Sequence, residues 1–134
     1  MATILVVDDR PSNRAYLLAL IGFTGHRTLQ AADGAEALAL VRRERPELVI
    51  TDILMPTMDG YQFVQQLRAD PQLAHTRVIF YSAVYAEPET AAMARSCGVS
   101  TILGKPADQQ RLLDAIAAEL GQVSAAAPAL PSPV

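Results

Sequence analysis

Five times between residues 3 and 120, a short β-rich apolar run gives way to a longer stretch whose apolar residues recur three and four apart. The runs are TILVV (3–7), RTLQA (27–31), ELVIT (47–51), VIFY (78–81) and STIL (100–103), each too short for a helix and suited to a strand. Between them lie five helical patterns. Pro11 suits a first helical turn, Leu17, Leu20 and Ile21 make an apolar stripe, and Gly25 closes the segment. DGAEALALVRRE (33–44) gathers Ala37, Leu38 and Val41 on one face before Pro46 stops it. YQFVQQLRA (61–69) turns Phe63, Val64 and Leu67 inward and ends at Pro71. ETAAMARSC (89–97) and QRLLDAIAAEL (110–120) are closed by Gly98 and Gly121. Strict alternation of this kind predicts an α/β architecture, a parallel sheet with helices on both faces.

The 134 residues suffice for one domain with a real core. We expect that domain over residues 1–121, with 122–134, Ala/Pro-rich and aperiodic, as a tail or interdomain linker. A net charge of −3 with scattered basic residues, RRER (42–45) being the one dense patch, argues against a nucleic-acid surface. A single cysteine, Cys97, excludes a disulfide framework and suits a reducing cytoplasm. No cationic segment leads into an apolar one at the start, and no apolar stretch nears the roughly 20 residues of a membrane span. The expectation is a cytoplasmic protein without a membrane segment.

Four of the strands end on polar residues: the first at Asp8-Asp9, the third at Asp52, the fourth at Ser82, and the fifth through Gly104 into Lys105-Pro106. In open parallel sheets the ligand crevice lies beyond the carboxyl ends of the strands, at the switch point in strand order. In the order 2-1-3-4-5, strands 1, 3, 4 and 5 are neighbours. At about 4.8 Å per strand, the backbones carrying these residues span only about 14 Å. Side chains close that gap, with Lys105 reaching back from the edge. Three carboxylates in one pocket repel each other, so they share protons, shift their pKa values or hold a cation. Oxygen-only ligands beside a hydroxyl and an ammonium suggest a hard ion, Mg²⁺ first. Such a site welcomes a phosphoryl group, and a central carboxylate, Asp52, is placed to be the nucleophile of an acyl phosphate.

ILVVDDRPSNR (4–14), AADGAEAL (31–38), PELVITDILMPTMDG (46–60), FYSA (80–83) and GKP (104–106) together resemble the receiver domain of bacterial two-component response regulators, over about residues 3–120. The resemblance implies a flavodoxin-like (βα)5 fold, doubly wound, with strand order 2-1-3-4-5. It implies that Asp52 is the phosphoacceptor, taking its phosphoryl group from a phosphohistidine of a sensor histidine kinase or phosphotransfer protein. Asp9 would bind Mg²⁺ directly, Asp8 through water, and Leu54 through its backbone carbonyl. Ser82 and Lys105 would contact the phosphoryl oxygens, and Lys105-Pro106 would be a cis peptide. The usual docking or dimerisation face would be residues 87–120, serving a homodimer or an attached output domain.

Two departures stand out. Three residues before Lys105 the family usually has an aromatic that swings inward on activation, and this chain has Ile102. Leu54 and Val84, two residues beyond Asp52 and Ser82, offer no side chain to orient water, which predicts slow self-dephosphorylation. Other classes fare worse. A cofactor-binding flavodoxin-like module would need a phosphate-cradling loop where VVDDRPSN stands, and an aspartyl phosphohydrolase usually wants a second acid at position 54. A phosphorylation-independent pseudo-receiver scaffold is the alternative that Ile102 favours. Taken singly, Asp8-Asp9 reads as a turn with a helix cap, Asp59-Gly60 as a turn only, and Ser82 and Lys105 as a satisfied hydroxyl and a solvated cation. Met55 and Met58 read as packing, His26 and His75 as solvated loop residues, and Cys97 as buried and inert.

Overall fold

A computed structural model describes residues 2–83 and 87–121; Val84 and the expected tail at 122–134 lie outside the described residues. The chain alternates β1 (Thr3–Val7), α1 (Pro11–Phe23), β2 (Arg27–Ala31), α2 (Gly34–Glu44), β3 (Leu48–Thr51), α3 (Gly60–Ala69), β4 (Arg77–Ser82), α4 (Pro88–Ser96), β5 (Thr101–Gly104) and α5 (Gln109–Glu119). The five strands form one sheet in the order β2-β1-β3-β4-β5, all neighbours parallel. This is the flavodoxin-like, doubly wound arrangement. Among the described residues, no helix is long and apolar enough to cross a membrane.

The period-two alternation of strand side chains splits the core in two. Ile4, Val6, Leu48, Ile50, Ile79, Tyr81 and Leu103 pack with Leu17, Ile21, Leu112 and Ile116 on the α1/α5 side. Leu5, Val7, Val49, Val78 and Phe80 pack with residues of α2, α3 and α4 on the other. β3 is buried along its whole length, as a central strand covered on both faces must be.

Register then fixes the ends. Val7 pairs with Thr51 and Thr51 with Phe80, so β1 and β3 stop level while β4 runs two residues further. Ser82 pairs with Gly104, so Lys105 emerges beside the last residue of β4. Backbone bonds continue each ladder one step past the strands: Asp8 N–H donates to Ala31 O, Asp52 N–H to Val7 O, and Lys105 N–H to Ser82 O. Asp8 continues the alternation of Ile4 and Val6, Asp52 that of Leu48 and Ile50, and Lys105 that of Leu103. All three therefore leave the sheet toward the same side.

The loop from Asp52 to Asp59 differs from the turn-only reading of Asp59-Gly60. Asp59 is the N-cap of α3, its carboxylate accepting from Gln62 N–H while the Gln62 side chain accepts from Asp59 N–H, a reciprocal capping box. Gly60 lies hard against the backbone: a Cβ there would stand 2.4 Å from Asp52 O and 2.9 Å from Ile53 Cα. Glycine is required because the α3 N-terminus is drawn onto the strand end, where Gly60 N–H donates to Ile53 O at 2.8 Å.

Candidate functional site

The cleft at the carboxyl ends of β1, β3, β4 and β5 has a volume of about 240 Å³ and is lined by Asp9, Arg10, Asn13, Asp52, Leu54, Ser82, Ala83 and Lys105. Asp8 lies buried beside it, with 2% of its side chain exposed. One carboxylate oxygen from each of Asp8, Asp9 and Asp52 lies within 4.8 Å of the other two. Lys105 closes the gap from the edge strand. Its ammonium donates to Asp8 Oδ2 at 2.6 Å and to Asp52 Oδ2 at 2.8 Å, across 97 and 53 residues of sequence. The structure thus brings together every side chain that the sequence marked at a strand end, and Leu54 with them.

The carboxylates are held by their own backbone. Asp8 Oδ1 accepts from Arg10 N–H at 2.9 Å, and Asp8 O accepts from the Arg14 guanidinium at 2.6 Å. Asn13 Nδ2 adds a longer contact to Asp8 Oδ2 at 3.4 Å. Asp52 Oδ1 accepts from Ile53 N–H at 2.7 Å, which fixes the carboxylate's rotation and leaves Oδ2 toward the cleft. Read singly, Asp8-Asp9 predicted a turn with a helix cap; Asp8 does close a turn just before α1, but the N-cap is Arg10, with no side-chain cap bond. Ser82 is buried at the end of β4, where it was expected, whereas Lys105, with 16% of its side chain exposed, is ion-paired and not a solvated cation.

Burial pulls the Lys105 ammonium toward a lower pKa, but hydrogen bonds and charge attraction from Asp52 and Asp8 outweigh it and hold the group above its ordinary value. It stays cationic throughout the neutral range. Three carboxylates face this one ammonium and Arg10 at the rim. The donor set is oxygen alone, clustered within reach of one small ion, and an excess of negative charge remains after the lysine is counted. It fits a hard divalent cation such as Mg²⁺.

Lys105-Pro106 is a cis peptide, as expected. Ile102 pairs with Phe80 and packs half-buried against the α2–α4 core, where the ring of Tyr61 meets Phe80 edge-on at 5.4 Å. Met55 and Met58 pack against that same core. Burial pushes the Cys97 thiol up, in keeping with an inert cysteine. His75 is exposed, but His26 is not simply solvated, since its Nδ1 accepts from Ala2 N–H at 3.1 Å. Asn13, Arg14 and Tyr81 also shape the cleft and were not singled out in the sequence, and Gly60 was read only as part of a turn. Only the Asp59-x-x-Gln62 spacing ahead of an apolar run carried a readable signal, for the cap beside Gly60.

The chain matches the family described as response regulator receiver domain over residues 4–117. It is 37% identical to Protein PilH of Pseudomonas aeruginosa over 120 residues, covering 90% of this chain and 98% of that protein. Sporulation initiation phosphotransferase F of Bacillus subtilis is 34% identical over 113 residues, with coverage of 84% and 89%. Among solved structures, the receiver domain of a Pseudomonas aeruginosa sensor histidine kinase, crystallised with a magnesium ion coordinated in its active site cleft, superposes with a TM-score of 0.82 at 25% identity, covering 90% of this chain and 98% of the other.

Proposed function

The chain belongs to the response regulator receiver domain family of two-component signalling, and from that premise we propose that it is a phosphorylation switch in which Asp52 takes a phosphoryl group from a phosphohistidine. The donor is a sensor histidine kinase or a phosphotransfer protein in the cytoplasm. One observation carries the reading: Lys105 bridges Asp52 and Asp8 from the far edge of the sheet, in a cleft that also holds Asp9.

In this reading the Asp52 carboxylate forms an O–P bond as the N–P bond of the donor imidazole breaks, and the imidazole leaves with the electron pair. The Ile53 N–H bond to Oδ1 holds the nucleophile in one orientation, so little rotational freedom is lost on the way to the transition state. Asp8, Asp9 and Asp52, with the carbonyl of Leu54, would hold Mg²⁺, which when bound neutralises phosphoryl oxygens and so lowers the barrier. Lys105 is a compact cation on a flexible stem, and it moves from the carboxylates to a phosphoryl oxygen. Ser82 donates its hydroxyl to another. Leu54 presents an apolar, 62% exposed side chain to the cleft and can orient no water, which supports a long-lived phospho-form. The output passes through the face of residues 87–120 to a partner, a second copy or an attached output domain.

The test is incubation with acetyl phosphate, with and without Mg²⁺, followed by intact mass. A Mg²⁺-dependent, base-labile phosphoryl adduct that Asp52→Asn removes is the expected result. No adduct would favour the pseudo-receiver scaffold, and an adduct persisting in Asp52→Asn would place the nucleophile elsewhere.

A further inference from the structure

Lys105 is the least supported member of the cleft by position alone. It follows β5, a four-residue edge strand paired only with β4, and its ammonium must cross to β1 and β3. Besides Asp8 and Asp52, the side chain that meets it is Tyr81, one residue before Ser82. Tyr81 lies on the α1/α5 side of the sheet with 6% of its surface exposed. Its ring sits under the Lys105 ammonium, 5.5 Å from Nζ to the centroid, within the range of a cation–π contact. Its hydroxyl accepts from Ala107 N–H at 3.2 Å. Pro106 has no N–H, so Ala107 supplies the first backbone donor after Lys105. A single tyrosine therefore holds the lysine twice, at the charged tip and through the backbone two residues on.

We propose that Tyr81 is a positioning residue for Lys105: it sets where the ammonium stands over the cleft without touching the phosphoryl group. A tyrosine buried only for packing would need some hydrogen-bond partner for its hydroxyl. It would not need its ring under the one ammonium of the cleft and its oxygen on the same loop. The inference rests on the reading of Lys105 as a contact to the phosphoryl oxygens.

The experiment is a cycle of Tyr81→Phe and Tyr81→Leu in the wild-type and Lys105→Met backgrounds, with Ile79→Ala as a core lesion on the same side. Each variant is phosphorylated by acetyl phosphate at saturating Mg²⁺ and unfolded thermally. Tyr81→Leu is expected to slow phosphorylation about tenfold, and Tyr81→Phe, which keeps the ring, about threefold. In the Lys105→Met background neither should slow it further. Ile79→Ala should lower the melting temperature at least as much as Tyr81→Phe yet leave the rate within about twofold. Equal slowing in both backgrounds, or a wild-type rate in Tyr81→Phe, would overturn the proposal. Should Tyr81→Leu not fold, the Tyr81→Phe pair decides alone. A wild-type rate in Lys105→Met would overturn the parent reading of Lys105 and this inference with it, whereas additive losses beside a slow Lys105→Met would overturn only the role of Tyr81.

Discussion

On the β1–β3 side of the cleft, carboxylates are gripped where they leave the sheet. Asp8 Oδ1 and Asp52 Oδ1 each take a backbone N–H from a residue at most two positions away, and Gly60 is pressed onto the carbonyl of Asp52. On the β4–β5 side the functional groups are a buried hydroxyl and a lysine whose tip lies far from its own backbone, steadied by a ring from the next strand. The first side is built for fixed position and the second for reach. A nucleophile gains from being held in one orientation. A counter-ion that must follow charge from a carboxylate to an arriving phosphoryl group gains from a long, single-point side chain. Damage to the backbone supports of the acidic side should therefore appear mainly as lost stability, and loss of the cation, once Mg²⁺ is present, as lost rate.

The largest expected effect comes at Lys105. Lys105→Met should slow phosphorylation of Asp52 by acetyl phosphate by about 10²- to 10³-fold, the usual scale for removing one charge-stabilising donor. Without Mg²⁺ the variant should also be less stable, because Asp8 and Asp52 then face each other without a cation. With Mg²⁺ that deficit should close while the rate defect remains. Thermal unfolding in chelator and in Mg²⁺, beside single-turnover rates, separates the two. A rate defect that Mg²⁺ also repairs would break the contrast.

Gly60→Ala should strike the other side. The new methyl would meet Asp52 O and Ile53 Cα, backbone atoms that cannot rotate away. Forced overpacking of this kind costs about 3 kcal/mol. Urea unfolding measures it, and a loss below about 0.5 kcal/mol would show that the α3 N-terminus is free to shift. The phosphorylation rate of the folded fraction should change less than in Lys105→Met.

What the sequence made legible follows the same division. β1 and β2 begin and end where the apolar runs TILVV and RTLQA do, because the two runs pair residue for residue, from Thr3 with Arg27 to Val7 with Ala31. β4 extends past VIFY to Ser82, and β5 past STIL to Gly104, because hydrogen bonds between the two strands carry on beyond the last large apolar residue. Asp8, Asp9 and Asp52 were readable as strand-end acids, since their placement needs only the end of a run and the strand order. Lys105 was readable once that order was assumed. Tyr81 and Gly60 were not. Each acts through contacts across the sheet end, Tyr81 on Lys105 and Ala107 and Gly60 on Asp52 and Ile53, and such contacts depend on register and loop path, which periodicity does not encode. The capping box at Asp59 was present as a spacing but was masked by the stronger turn signal of Asp-Gly.

The smallest prediction compares the starts of α3 and α4, the helices that follow β3 and β4. α3 starts with a full capping box: the Asp59 carboxylate takes Gln62 N–H at 2.8 Å and Gln62 returns the bond to Asp59 N–H at 3.0 Å. α4 has Glu87 as its N-cap, with no side-chain cap bond and Pro88 as its first residue, and it is nine residues long against ten. Asp59→Ala should thus cost about 1 kcal/mol in urea unfolding, by exposing orphan N–H groups that water must then satisfy. Glu87→Ala should cost no more than a few tenths, because no bond is lost. If the β3 side is the fixed one, hydrogen exchange should quicken in the first turn of α3 only when Asp59 is removed, and the first turn of α4 should exchange faster than α3 even in the wild type. Equal protection of the two helix starts would mean that the cap adds nothing to the rigidity of the acidic side, leaving the contact of Gly60 with Asp52 to hold that helix alone.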